Sequence, residues 1–181
     1  MKCEKKNLLV LFPGTGYTVN SPLLYYADFK YYQKGYESIK INYGNSVQKD
    51  TSWDEVVENA KNCAYKQMKD IAFSKYADIL FVSKSLGTVA AGWVADELGI
   101  GARHIYLTPI NGTLQYIKND KNISVVVAGT KDDLMDIKIL IEHCKREDIQ
   151  LELIENAEHS LEVIDDVDTN IDVLKHVVSL Y

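Results

Sequence analysis

Ser83-Lys84-Ser85-Leu86-Gly87 is the stretch on which the reading of this chain turns. It follows Asp78-Ile79-Leu80-Phe81-Val82, a short apolar run with the length and composition of a buried strand. It opens a run from Leu86 to Leu98 that places Val89, Ala90, Trp93, Val94 and Leu98 at helical spacing. A serine held on so sharp a strand-to-helix turn has its hydroxyl pushed out at the top of the sheet. The turn strains the backbone, so the residues two before and two after must be small. Gly87 meets that demand, and Ser83, standing where glycine is usual, is small as well. An ordinary tight strand-helix connection explains the pentapeptide equally well. The rest of the chain separates the two readings.

Working outward, strand and helix patterns alternate from end to end. Strands are expected at Asn7 to Phe12, Ser38 to Asn42, Asp78 to Val82, Arg103 to Leu107, Ile123 to Ala128 and Leu151 to Ile154. Helices are expected at Ser21 to Gln33, after the capping box Ser52-Trp53-Asp54-Glu55, at Leu86 to Leu98, at Leu134 to Lys145 and at Val167 to Leu180. Asp133 is placed to cap the helix at Leu134. Such alternation predicts an α/β fold, a three-layer α/β/α sandwich around a six-stranded, mostly parallel sheet. With 181 residues, no repeats and no linker, residues 1–181 are read as one domain.

Reactive groups in an open parallel sheet belong at the carboxyl ends of the strands. The first strand ends in Pro13-Gly14-Thr15-Gly16-Tyr17, and the third ends at Ser85. The fifth ends in Gly129-Thr130-Lys131-Asp132-Asp133, and the sixth in Asn156-Ala157-Glu158-His159-Ser160. A small-residue loop, a serine, a carboxylate and a histidine therefore share one edge, in the chain order Ser, Asp, His. The other histidines do not qualify, since His104 lies within a strand and His143 and His176 lie within helices.

These four motifs, in this order, resemble those of the α/β-hydrolase superfamily, and the resemblance covers nearly the whole chain. Pro13 stands where the family's oxyanion loop has histidine, and Ser83 where its elbow has glycine. The resemblance implies a small version of the fold that lacks the two usual first strands and the lid, with Thr108 to Asn122 long enough for a short helix at most. It implies Ser85 as nucleophile, His159 as base, and Asp132 rather than Asp133 as the acid that orients it. It implies oxyanion donors at the N–H of Leu86 and of Thr15, with Gly16 as the alternative to Thr15. Tyr17 and Thr108 are expected at the rim of the substrate cleft. The activity implied is serine hydrolysis of a small ester or thioester, with no cofactor and no metal. A non-catalytic hydrolase-like module that binds a ligand or partner is the alternative.

Composition bounds the partners. A formal net charge of -6, with 20 Lys+Arg against 26 Asp+Glu, argues against nucleic acid and anionic membranes. The expected partner is a small-molecule acyl substrate. Cys3, Cys63 and Cys144 are odd in number and lack metal-ligand spacing, so reduced thiols are expected. No run approaches a signal or membrane segment, and the expected location is cytoplasmic. A dinucleotide site is set aside: after Gly14 and Gly16 the third glycine of that fingerprint falls at Val19, and the second strand ends on Asn42-Tyr43 without an acid.

Overall fold

The computed structural model describes residues 5–47 and 52–181. Cys3 lies outside them. The strands are β1 (Lys6–Phe12), β2 (Tyr36–Lys40), β3 (Tyr76–Lys84), β4 (Arg103–Leu107), β5 (Ile123–Gly129) and β6 (Leu151–Ile154). The helices are α1 (Pro22–Gln33), α2 (Trp53–Met68), α3 (Leu86–Glu97), α4 (Ile137–Arg146) and α5 (Val167–Ser179). One sheet orders the strands β2-β1-β3-β4-β5-β6, and every pairing is parallel. The strand order reverses between β1 and β3, which is where an open α/β sheet leaves a crevice.

Side chains on successive strand residues point to opposite faces, so an all-apolar strand must be covered on both. β1 obeys this: Leu8, Val10 and Phe12 join one core, and Leu9 and Leu11 join the other. The first core is closed by Ala60, Ala64 and Met68 of α2, Ala90 and Val94 of α3, and Leu140 and Cys144 of α4. The second is closed by Leu24, Ala27 and Tyr31 of α1 and by Val177 of α5. The result is the expected three-layer sandwich. Burying each large aliphatic or Phe side chain here contributes about 1.5–3 kcal/mol, which is why the sheet is the rigid part on which a site can be hung.

Local signals set several boundaries. The capping box is present: the Ser52 hydroxyl accepts from the Glu55 N–H, and the Glu55 carboxylate accepts from the Ser52 N–H. Two expectations shift. β2 runs from Tyr36 to Lys40 rather than from Ser38 to Asn42, because Gly35, at φ 81°, turns the chain straight into the ladder with β1. The ladder ends at Lys40, the Ile41 N–H still reaches Leu11 O, and the Asn42 side chain then closes a turn onto the Gly44 N–H. α4 begins at Ile137, not Leu134, because Asp136 rather than Asp133 caps it, accepting from the N–H groups of Lys138 and Ile139. That shift leaves residues 130–136 as the loop that carries Asp132.

Between β4 and β5 the chain forms only a short 3-10 helix, Asn111–Tyr116, and no covering domain. Cys63 and Cys144 are free thiols, and burial pushes the Cys144 thiol up to about 11. No helix among the described residues is long and apolar enough to cross a membrane.

Candidate active site

Ser85 sits between β3 and α3 with φ 54° and ψ -122°, a conformation that a residue with a side chain adopts only under constraint. The constraint is local. Its N–H donates to Leu107 O, and its carbonyl accepts from both the N–H and the hydroxyl of Thr88. Gly87 is required at the other side of the turn: a Cβ there would lie 2.4 Å from Phe12 O and 2.5 Å from Pro13 O. Ser83 is fully buried, and its hydroxyl donates to Ile105 O on β4 at 3.3 Å. A serine therefore fits the position with its polar group satisfied by the neighbouring strand.

Two further loops close on this turn. The loop after β5 carries Asp132, whose carboxylate accepts from the Leu134 N–H at 2.9 Å. The loop after β6 carries His159. The two are stitched together by Lys131 N–H to Ala157 O, Thr130 N–H to Ile154 O, and Asn156 N–H to the Thr130 hydroxyl. Their approach leaves no room for a side chain at Gly129, where a Cβ would stand 2.1 Å from Ala157 O.

The three side chains form a continuous chain of hydrogen bonds. His159 Nδ1 lies 2.8 Å and 2.9 Å from the two Asp132 oxygens, and His159 Nε2 lies 2.7 Å from Ser85 Oγ. A carboxylate only accepts, so Nδ1 holds the imidazole proton and Nε2 is left to accept from the Ser85 hydroxyl. The Asp132 side chain is fully shielded and that of His159 is 18% exposed, so the acid is dry while the histidine edge reaches solvent. Chemically, the array can withdraw the proton from Ser85 Oγ and hold the resulting imidazolium against a buried carboxylate.

The loop after β1 packs against the serine. A Cβ on Gly14 would lie 3.2 Å from Ser85 Cβ, and the loop is pinned by Gly14 N–H to Tyr17 O. Thr15 and Gly16, which follow, are exposed. Leu86 is the first residue of α3, so its N–H has no partner within the helix and sits at the positive end of the helix dipole.

The two rim residues fare differently. Tyr17 is half-buried and lines a hollow of about 290 Å³ together with Leu23, Ser160 and Leu161. Its hydroxyl accepts from the Leu23 N–H in the first turn of α1, and burial pushes that hydroxyl up to about 12. Thr108 is not at a rim. It is fully buried with φ 43°, and its hydroxyl accepts from Lys84 Nζ. Lys84 was not singled out by the sequence. Its ammonium also donates to the His159 main-chain carbonyl, and its partners are 24 and 75 residues away, beyond the reach of any local pattern. A second hollow, of about 320 Å³, lies among Trp53, Ile110, Asn111, Gly112 and Leu134 on the same edge. Among the described residues, no group of three or more His, Cys, Asp and Glu is arranged to hold a metal.

No protein-family model matches the sequence, and no curated protein matches it. Solved structures match the fold closely. An alpha-beta serine hydrolase homologue from Coxiella burnetii superposes with a TM-score of 0.67 at 13% identity, over 97% of this chain and 85% of that one. Est1E from Butyrivibrio proteoclasticus superposes with a TM-score of 0.67 at 13% identity, over 98% of this chain and 88% of that one. Est1E with ferulic acid bound gives the same TM-score at 12% identity, over 98% and 89%. The all-parallel six-stranded sheet, its strand order and these superpositions together identify the chain as an α/β-hydrolase fold.

Proposed function

We propose that this protein is a serine hydrolase of small esters or thioesters, acting through Ser85, His159 and Asp132 and an acyl-enzyme. The observation that carries the proposal is the unbroken run from Ser85 Oγ through both His159 nitrogens to Asp132, at 2.7 and 2.8 Å. The likeness in fold to a serine hydrolase homologue agrees with it.

In this mechanism Ser85 Oγ attacks the acyl carbonyl while His159 Nε2 takes its proton. The carbonyl oxygen becomes an oxyanion, which the Leu86 N–H and the Thr15 N–H stabilise; each such donor is worth about 3 kcal/mol in the transition state. Thr15 directly follows Gly14, the residue packed on Ser85, and so is favoured over Gly16. Collapse of the intermediate breaks the bond to the leaving group, which departs with the proton from His159. Water, deprotonated in turn by His159, then attacks the acyl-enzyme and releases the acid and Ser85. Asp132 holds the imidazole tautomer throughout.

Substrate size follows from the cover. Only residues 108–122 stand between β4 and β5, with the 3-10 helix Asn111–Tyr116 as their one regular element, too little to enclose a long chain. The test is a series of p-nitrophenyl esters of increasing acyl length, with wild type and Ser85→Ala side by side. Wild type should prefer short acyl groups, and Ser85→Ala should lose at least about 10³-fold in kcat while staying folded. Equal turnover by the two proteins would contradict the hydrolase, and kcat/KM rising steadily to long chains would contradict the open cleft.

A further inference from the structure

Lys84 is 1% exposed, and it is the only lysine among the buried residues described. A buried ammonium is costly, and a methionine would fill the same space without that cost. The groups around its Nζ come from the loops after β1, β4, β5 and β6. Thr108, at the end of β4, accepts a hydrogen bond, and the main-chain oxygen of His159 accepts another at 2.6 Å. The Tyr17 ring, from the oxyanion loop, has its centroid 5.2 Å away. Asp132 and Glu162, from the acid loop and the histidine loop, supply the facing negative charge. Burial outweighs that attraction and pulls the ammonium down to about 8, which still leaves it a cation with three N–H donors at neutral pH.

The position matters as much as the contacts. Lys84 directly precedes Ser85, so its backbone carries one reacting group while its side chain grips the main chain of the other. The separation of Ser85 Oγ from His159 Nε2 is thereby referred to one residue. We infer that Lys84 is a positioning residue, whose ammonium clamps the main chain of His159 at hydrogen-bonding distance from Ser85. The inference rests on the hydrolase reading given above. Lys84 is too deeply buried to touch substrate, so its removal acts on turnover and not on binding.

The experiment compares wild type, Lys84→Met and Ser85→Ala for hydrolysis of a short p-nitrophenyl ester. It also records the proton NMR signal of the His159 Nδ1–H held by Asp132. Misplacing a reacting group by about 1 Å costs about 10²-fold, so Lys84→Met should lose about 10- to 100-fold in kcat with KM within about two-fold. Its Nδ1–H signal should broaden or vanish by exchange with water. A Lys84→Met protein with wild-type kcat and an unchanged signal overturns the inference and leaves the hydrolase standing. Wild-type protein with no Ser85-dependent turnover overturns the hydrolase reading instead, and the NMR comparison still reports whether Lys84 holds His159. Should Lys84→Met not fold, Thr108→Ala removes one of the two acceptors of Nζ and keeps the lysine. A smaller loss in kcat is then expected, and an unchanged kcat and Nδ1–H signal would overturn the inference.

Discussion

At the scale of single residues, the site is built from strain that its neighbours hold in place. A positive φ at Ser85 costs about 1–3 kcal/mol, and it persists because Leu107, Thr88 and the close contact at Gly87 leave the turn no other course. The two adjacent carboxylates after β5 are separated by the same kind of reasoning. Asp132 is buried and bonded to His159, whereas Asp133 is exposed and does not cap α4. Asp132→Asn should therefore lower kcat by up to about 10⁴-fold, since an amide there favours the wrong imidazole tautomer. Asp133→Asn should change kcat by less than about two-fold, because an exposed side chain away from the hydrogen-bonded array has little to lose. Steady-state kinetics of the two variants checks this, and a larger loss at Asp133 would reverse the assignment. Of the eight residues that the sequence marks out, Ser85, Asp132 and His159 are brought into one hydrogen-bonded array. Thr108 shows what the sequence could not give. Its place after a strand suggested a rim, but the residue that holds it, Lys84, is brought there only by the folded sheet.

At the scale of elements, legibility tracked the range of the interactions that form each one. Buried strands such as β1 and β5 announce themselves because both faces must be apolar, a property each carries within its own few residues. The start of α2 was equally plain, because Ser52 and Glu55 satisfy each other within one turn. Boundaries set by distant partners were not. Where β2 begins depends on its register with β1, and where α4 begins depends on which of two nearby aspartates the fold leaves free to cap. Asp132 accepts from His159 and from the Leu134 N–H within the loop, and it is Asp136 that accepts from the Lys138 and Ile139 N–H groups at the start of α4. The placement of the site at the strand ends was legible for a general reason: parallel strands joined by helices all present their carboxyl ends at one edge.

At the scale of the whole molecule, two buried bases give stability a defined pH dependence. Burial pulls His104 from its ordinary 6.5 down to about 4. Between those values the unfolded chain takes up the proton and the folded chain does not, so stability is present above pH 6.5 and is lost as pH falls towards 4. Lys84, pulled from 10.5 to about 8, contributes in the same sense at the other end: its own share of stability rises from pH 8 to 10.5 as the cost of the buried cation is relieved, while the raised Cys144 thiol and Tyr17 hydroxyl act in the opposite sense there. Each step is worth roughly 3 kcal/mol at most. Urea titrations from pH 4 to 7 should show the first rise, flattened in His104→Phe, and from pH 8 to 10.5 the stability of wild type relative to Lys84→Met should increase. A profile unchanged by either substitution would contradict this assignment of the buried charges.

The most direct test of the central claim is the site of covalent capture. Wild-type protein treated with a fluorophosphonate should gain the mass of a single adduct. Peptide mapping should place it on Ser85, no adduct should form in Ser85→Ala, and labelling should slow greatly in His159→Ala, where the base is gone. Absence of any adduct, or an adduct mapped to another residue with Ser85 unmodified, would contradict the account.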